Sequence, residues 1–246
     1  MGDADAIAKT LKAEWEARAR SENREFYVAS HPGWNTAEGR AHQARSDATN
    51  FLVHLDPEVL RTSDLLEVGC GSGRRVPYIA PRVQSYTGID ISRTMVEVAR
   101  RDCHEIANAR FFEASGTELP EGARDRRYDI ALSVAVFIHN PKHVCDSLAR
   151  SAMAQLRVGG EFRVQLRADA ADPEGITPGS DTATIERAQA VERTATPDQK
   201  DLILGTNYYG HPFGYHEAKT WLESLGDAQV YRMDPLFIYG FVKRRA

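Results

Sequence analysis

Cysteine is scarce. The 246 residues hold three (Cys70, Cys103, Cys145), far apart and odd in number, which offers neither a disulfide framework nor a zinc spacing. A reducing cytoplasm is therefore the expected setting. Long apolar runs are also missing. No stretch reaches the ~18 apolar residues that a membrane span needs. The charged, helix-patterned start (AIAKTLKAEWEARARSENREF) has no apolar segment followed by a small-residue cleavage site, so no signal peptide is expected. An excess of basic charge is absent: the net charge is −4, without the electrostatic footprint of a nucleic-acid binder. No His, Asp and Glu cluster at ligand spacing occurs, so no metal is expected.

What is present is a normal globular balance, 42% hydrophobic and 27% charged, in a length that suits one decorated domain. Charge is unevenly placed. From Asp169 to Asp201 eight acids face three bases (Arg187, Arg193, Lys200), a local net of −5, with Pro173, Pro178 and Pro197 among few large apolar residues. This composition predicts an insertion running over the surface, and as a lid over a cleft it would suit a cationic or amine ligand.

Periodicity predicts a helix over 3–29, marked by Ile7, Leu11, Trp15 and Phe26, and a second over 37–55 that stops before Pro57. Strands and helices then alternate: strands at 64–69, 85–90, 109–114, 128–134 and 161–166, helices at 74–80 and 93–107. Asn140 and Pro141 read as N-cap and first turn of a helix that runs to about 155 and stops near Gly159-Gly160. A helix at 216–225 and strands at 228–233 and 236–242 close the chain. Such alternation argues for a parallel sheet with helices on both faces.

The informative segment is Glu67-Val68-Gly69-Cys70-Gly71-Ser72-Gly73, between an apolar strand and a helix. Its glycines allow a sharp turn and close approach to a ligand, and backbone N–H groups near the helix start favour an anionic group. Asp90 ends the next strand, 21 residues after Gly69, where a carboxylate can accept hydrogen bonds from ribose hydroxyls. A nucleoside site follows. Its spacing is G-x-G-x-G, and Arg74 stands where a dinucleotide fingerprint needs glycine. The Gly-Lys-Ser/Thr ending of a P-loop is missing. Glu67 adds a negative charge that would repel a pyrophosphate and suit a cationic ligand.

LLEVGCGSG followed by TGIDIS resembles the class I S-adenosylmethionine (SAM)-dependent methyltransferases over roughly residues 63–166, with FFEASGTELP and YDIALSVAVFIH as supporting blocks. The resemblance implies an α/β fold: a doubly wound, seven-stranded, mostly parallel sheet, Rossmann-like, with the last strand antiparallel. It implies one methyltransferase domain with an N-terminal helical cap (1–57), a SAM-binding core (63–166), a substrate lid inserted after strand 5 (167–215) and a closing helix and strand pair (216–246). The cofactor would be SAM, leaving S-adenosylhomocysteine (SAH). The acceptor would be a small molecule methylated on O or N, of the kind found in secondary metabolism. No nucleic-acid or membrane partner is expected, and a homodimer is left open.

The resemblance also implies site residues. Cofactor contacts fall on Glu67, Gly69, Gly71, Gly73, Arg74, Asp90, Ile91 and Met95. The adenine loop would contribute Ser115, in place of the family's aspartate, with Gly116 and Thr117. Ser133 and Val134 would lie under the methionine portion. His139 is the first candidate for the base that takes the acceptor's proton, and His211 the second. Tyr27, Trp34, Tyr209 and Phe213 are candidate acceptor contacts. Asn140-Pro141-Lys142-His143 is similar to the Asn-Pro-Pro-aromatic tetrapeptide of amino-group nucleic-acid methyltransferases, but the second proline and the aromatic are missing and capping explains Asn140. Two other readings stand beside this one: an NAD(P)-dependent oxidoreductase, which the glycine spacing disfavours, and a non-catalytic SAM-fold binding protein.

Overall fold

The computed structural model describes residues 3–22, 24, 36–169, 171–175, 211–232 and 236–246. Seven strands form one sheet: β1 (Asp64–Val68), β2 (Ser85–Asp90), β3 (Ala109–Glu113), β4 (Tyr128–Ser133), β5 (Leu156–Arg167), β6 (Asp227–Tyr231) and β7 (Phe237–Lys243), in the order β3-β2-β1-β4-β5-β7-β6. β1 to β5 are parallel neighbours, and β7 runs antiparallel to both β5 and β6. The order reverses beside β1, which places a crevice at the carboxyl ends of β1 and β4.

Alternation along each strand explains the two layers. Leu66 and Ala131 enter the core on one face, while Leu65, Ile130 and Leu132 enter the core on the other. All five residues of β1 are buried, as a strand covered on both faces requires. The first core packs α1 (Asp3–Arg20), α7 (Lys142–Gln155) and α8 (Tyr215–Leu225) against the sheet. The second packs α2 (Ala37–Phe51), α3 (Pro57–Arg61), α4 (Val76–Ile79) and α5 (Arg93–Asp102). A short α6 (Glu121–Arg124) follows Pro120.

Several boundaries differ from expectation, each for a local reason. α1 ends at Arg20, and Phe26 lies outside the described residues. Pro57 does not merely stop a helix. Asp56 caps Glu58 N at 2.7 Å and Pro57 opens α3, an N-cap followed by a first-turn proline. The helix expected at 74–80 starts only at Val76, because Arg75 is drawn into the core by Glu67. α5 stops at Asp102, and Cys103 packs under the glycine loop, Sγ on Gly73 O at 3.7 Å.

Asn140 is not an N-cap. Pro141 occupies that position with no side-chain cap, and Asn140 Nδ2 donates to Val136 O at 2.9 Å. Gly159 and Gly160 do not end α7. They lie in β5, whose register against β4 shifts between Tyr128 and Ile130. A Cβ at Gly160 would sit 2.9 Å from the carbonyls of Arg157 and Asp129, so glycine there permits strand approach rather than helix termination.

Candidate active site

At the carboxyl end of β1 the chain turns through Gly69 (φ 79°), Gly71 (φ 55°) and Gly73 (φ 80°). Gly69 is required twice over. Its φ is left-handed, and a Cβ would lie 2.0 Å from Val136 Cγ2. At Gly71 a Cβ would meet nothing within 4 Å, so open space lies over the loop there. Asp90 closes the same turn from β2: Oδ2 accepts from Gly71 N and Oδ1 from Ser92 N, both at 2.9 Å. Burial pushes the Asp90 carboxyl up to about 6, against the pull of those two N–H groups.

Glu67 does not face this space. It is fully buried, its Oε1 takes Arg75 Nε at 2.5 Å, and its Oε2 accepts from the Tyr86 hydroxyl. The expected charge in the cleft is therefore consumed inside the fold. Asp47 of α2 completes the network, 2.8 Å from Arg74 Nη2 and 3.4 Å from Arg75 Nη1, and Gln43 Nε2 donates to it at 2.6 Å. Burial depresses Arg75, but the carboxylates of Glu67 and Asp47 outweigh it and raise it above the usual arginine value. Arg74 goes the other way, lowered to about 10 by burial and by its neighbour Arg75. Its Nη1 is buried without a hydrogen-bond partner among the described residues. An unpaired buried donor costs about 1–3 kcal/mol, and an anionic oxygen would relieve it.

α1 crosses the carboxyl edge of the sheet. Ala8 lies against Gly116, and Lys12 pairs with Glu113 at 2.5 Å. Glu16 caps α5 from outside: its carboxylate accepts from Ser92 Oγ at 2.7 Å, Thr94 Oγ1 at 2.6 Å and Thr94 N at 3.2 Å. Burial raises this carboxyl, but the Thr94 and Ser92 bonds prevail and take it down to about 2. Trp15 meets His139 edge-on, ring centroids 5.3 Å apart. His139 ends a single 3-10 turn, Phe137–His139, just beyond Ala135, whose φ of 58° is left-handed for a non-glycine residue and whose N–H is held by Gln165 Oε1 at 3.0 Å. Such a conformation costs about 1–3 kcal/mol and persists where surrounding structure imposes it.

The other candidates are placed as follows. Ile91 is half-buried and packs on Gly116, and Met95 is buried in α5. Ser115 is exposed, and its hydroxyl accepts from Glu118 N at 3.3 Å, closing a turn. Gly116 has φ 106°, and Thr117 beside it is half-buried. Ser133 is fully buried, its hydroxyl committed to Val68 O at 2.9 Å, and Val134 is buried beyond it. Phe213 is a correction: it is buried, stacked on Trp221 at 5.4 Å, and its backbone pairs with Arg167 O and Asp169 N at 2.9 Å. It holds the stem of the insertion instead of offering a free face. His211 is exposed and lines a cleft with Ile7, Thr10, Pro141, Lys142 and His143. Tyr27, Trp34 and Tyr209 lie outside the described residues.

Sequence reasoning missed Asp47, Glu16 and Gln165, whose partners are tens of residues away, and Arg232. Arg232 is buried and donates to the carbonyls of Asp169 (2.9 Å), Asp172 (2.6 Å) and Glu174 (2.9 Å), pinning the root of the insertion. No local signal marks these residues. Among the described residues no group of three or more His, Cys, Asp or Glu could hold a metal ion, and no helix is long and apolar enough to cross a membrane.

A doubly wound sheet of this order, with a glycine turn after β1 and an acid ending β2, has the Rossmann-like methyltransferase fold. Residues 65–160 match the family model described as "Methyltransferase domain". Solved structures share the fold over nearly the whole chain. DhpI in complex with SAH is 17% identical, with a TM-score of 0.62 and 97% of each chain covered. The 1,6-didemethyltoxoflavin-N1-methyltransferase of Burkholderia thailandensis is 14% identical, with a TM-score of 0.64, over 100% of this chain and 92% of its own. The magnesium protoporphyrin IX methyltransferase (ChlM) of Synechocystis PCC 6803 is 17% identical, with a TM-score of 0.58, over 96% of this chain and 99% of its own.

Proposed function

We propose that the protein methylates an O or N atom of a small-molecule acceptor, with His139 taking the acceptor's proton. The observation that carries this reading is the Asp90 carboxylate beside the open space over Gly71, with the unpaired Arg74 Nη1 one turn away. These residues fit the cofactor: Asp90 would accept from ribose hydroxyls, the Gly69–Gly73 turn would admit the backbone-hugging portion, and Arg74 would meet a carboxylate. Bound there, SAM supplies a methyl group carried on a sulfonium.

The protein's own work is orientation, exclusion of water and proton removal. α1, tied down by Glu16 and Lys12, roofs the edge of the sheet. Trp15 fixes the face of His139. The His139 imidazole would take the proton as the acceptor atom becomes a nucleophile, and His211, in the adjoining cleft, would be the second candidate base. Structures of the same fold solved with a bound acceptor support a small molecule: the Burkholderia enzyme carries 1,6-didemethyltoxoflavin with SAH.

Calorimetric titration tests the reading. The wild type is expected to bind SAH and not NAD. Arg74→Met should weaken SAH about tenfold, the scale of one charge-assisted hydrogen bond, and leave adenosine, which has no carboxylate, unchanged. Binding of NAD without SAH would overturn the assignment. Equal losses for SAH and adenosine would remove Arg74 from the carboxylate's partners.

A further inference from the structure

One cleft is lined by none of the residues proposed to hold the cofactor. Ile7 and Thr10 of α1 form one wall, Pro141, Lys142 and His143 the other, and His211 borders both, around about 440 Å³. Its charged and titratable side chains are an ammonium and two imidazoles, and no carboxylate lines it among the described residues. In a chain of 35 acids and 31 bases with a net charge of −4, this is a local reversal of sign.

The backbone repeats that sign. Pro141, Lys142 and His143 are the N-cap and first two residues of the 14-residue α7, which has no acid in its first turn and no side-chain cap. The positive end of its dipole therefore borders the same space. One counter-charge is near: Glu217 Oε1, 2.6 Å from Lys142 Nζ. Both side chains are about half exposed (40% and 49%), and a pair so placed is weakly held and free to re-aim.

Position links the cleft to the chemistry. Lys142 follows His139 by three residues, and Trp15, which meets the His139 ring, lies on the same helix as Ile7 and Thr10. A molecule seated between α1 and α7 lies beside the proposed base.

We propose that the acceptor carries an anionic oxygen group, a carboxylate or phosphoryl oxyanion, and that Lys142, His143 and His211 hold it as an anchor while another atom of the acceptor is methylated. This rests on the methyltransferase reading above. Ammonium and imidazole N–H groups donate to such oxygens, and charge-assisted bonds of this kind are the stronger ones. Of the acids in residues 169–201, the described ones, Asp169, Asp172 and Glu174, do not line the cleft.

The test uses the full chain loaded with SAH. Inorganic phosphate, benzoate and tetramethylammonium are titrated at fixed pH and ionic strength while the ring C–H resonances of His143 and His211 are followed by NMR, assigned through His143→Gln and His211→Gln. The expected result is a saturable shift of both resonances with phosphate, benzoate or both, and none with tetramethylammonium. Whichever anion responds names the oxyanion class. Lys142→Gln should weaken that response about tenfold, and Glu217→Gln should tighten it. No saturable response to either anion, the same response to tetramethylammonium, or an unchanged affinity in Lys142→Gln would overturn the proposal. Calorimetry with SAH on the same preparations before loading separates the two readings: intact SAH binding without an anion response ends the anchor alone, and absence of SAH binding in the wild type ends the methyltransferase reading beneath it.

Discussion

The two halves of the crevice are built by different means. On the β1–β2 side the contacts are short in sequence. Glu67 and Arg75 are 8 residues apart, Tyr86 and Glu67 are 19 apart, and so are Gly71 and Asp90. The contacts of α1 and α7 join remote segments: Glu16 of α1 reaches Ser92 and Thr94 across 76 and 78 residues, Lys12 of α1 reaches Glu113 across 101, and Lys142 of α7 reaches Glu217 across 75. The cofactor half is a local device, set by a strand, a turn and buried charge. The acceptor half proposed above needs α1 and the stem of the insertion docked.

Perturbing each half should separate them. The largest effect is expected at Arg75. Its replacement by Met leaves Glu67 buried without a counter-ion, and breaking such a pair costs about 3–5 kcal/mol. Urea unfolding measures it, and a loss below ~1 kcal/mol would show that the network is not what holds the loop half. Gly69→Ala comes next. It forces a Cβ into Val136 and a strained φ, for about 2–3 kcal/mol by overpacking and strain. SAH binding should be lost in the same variant, with α1 still docked by far-UV and tryptophan signals.

Asp90 gives the pH signature of the cofactor half. Its folded carboxyl titrates near 6, above the usual 3.8, so folding takes up a proton between those values. Its contribution to stability is present below about pH 4 and is lost as the pH rises through 6. SAH affinity runs the other way, because the ionised carboxylate is the better acceptor. Asp90→Asn should flatten both trends and weaken SAH by roughly 1.5–3 kcal/mol, the worth of hydrogen bonds to a charged group. Calorimetry from pH 5 to 8 measures the slope.

The smallest effect belongs to α1, whose docking the proposed acceptor half needs. Glu16→Gln keeps the shape but removes the charge at the start of α5, worth about 1 kcal/mol. Because the folded carboxyl lies near 2 against a usual 4.5, its stabilisation is complete above 4.5 and fades as the pH falls toward 2. Loosening α1 should slow turnover more than it weakens SAH. An equal effect on both would erase the distinction between the halves.

The same contrast explains what could be read in advance. β2 is found where its pattern put it, and the seven-stranded order with its antiparallel final strand matches the expected fold, because apolar alternation and glycine punctuation are local properties. Errors arose where one residue served a distant partner. Glu67 stands in sequence beside the glycine loop, yet Arg75 and Tyr86 enclose it. Phe213 lies in an aromatic stretch that suits an acceptor contact, yet Trp221 stacks on it. Asn140 precedes a proline as a cap does, yet it bonds back to Val136.

What the chain alone determined is therefore the skeleton of the proposed nucleoside site: strand, left-handed glycine turn, acid at the end of the second strand. Each part needs only neighbours in sequence and the allowed regions of φ and ψ. Which charges are spent inside the fold and which stay open was decided by packing. A carboxylate's role depends on whether an arginine, a hydroxyl or water reaches it first, and that choice is made between segments that meet only when the sheet is covered on both sides.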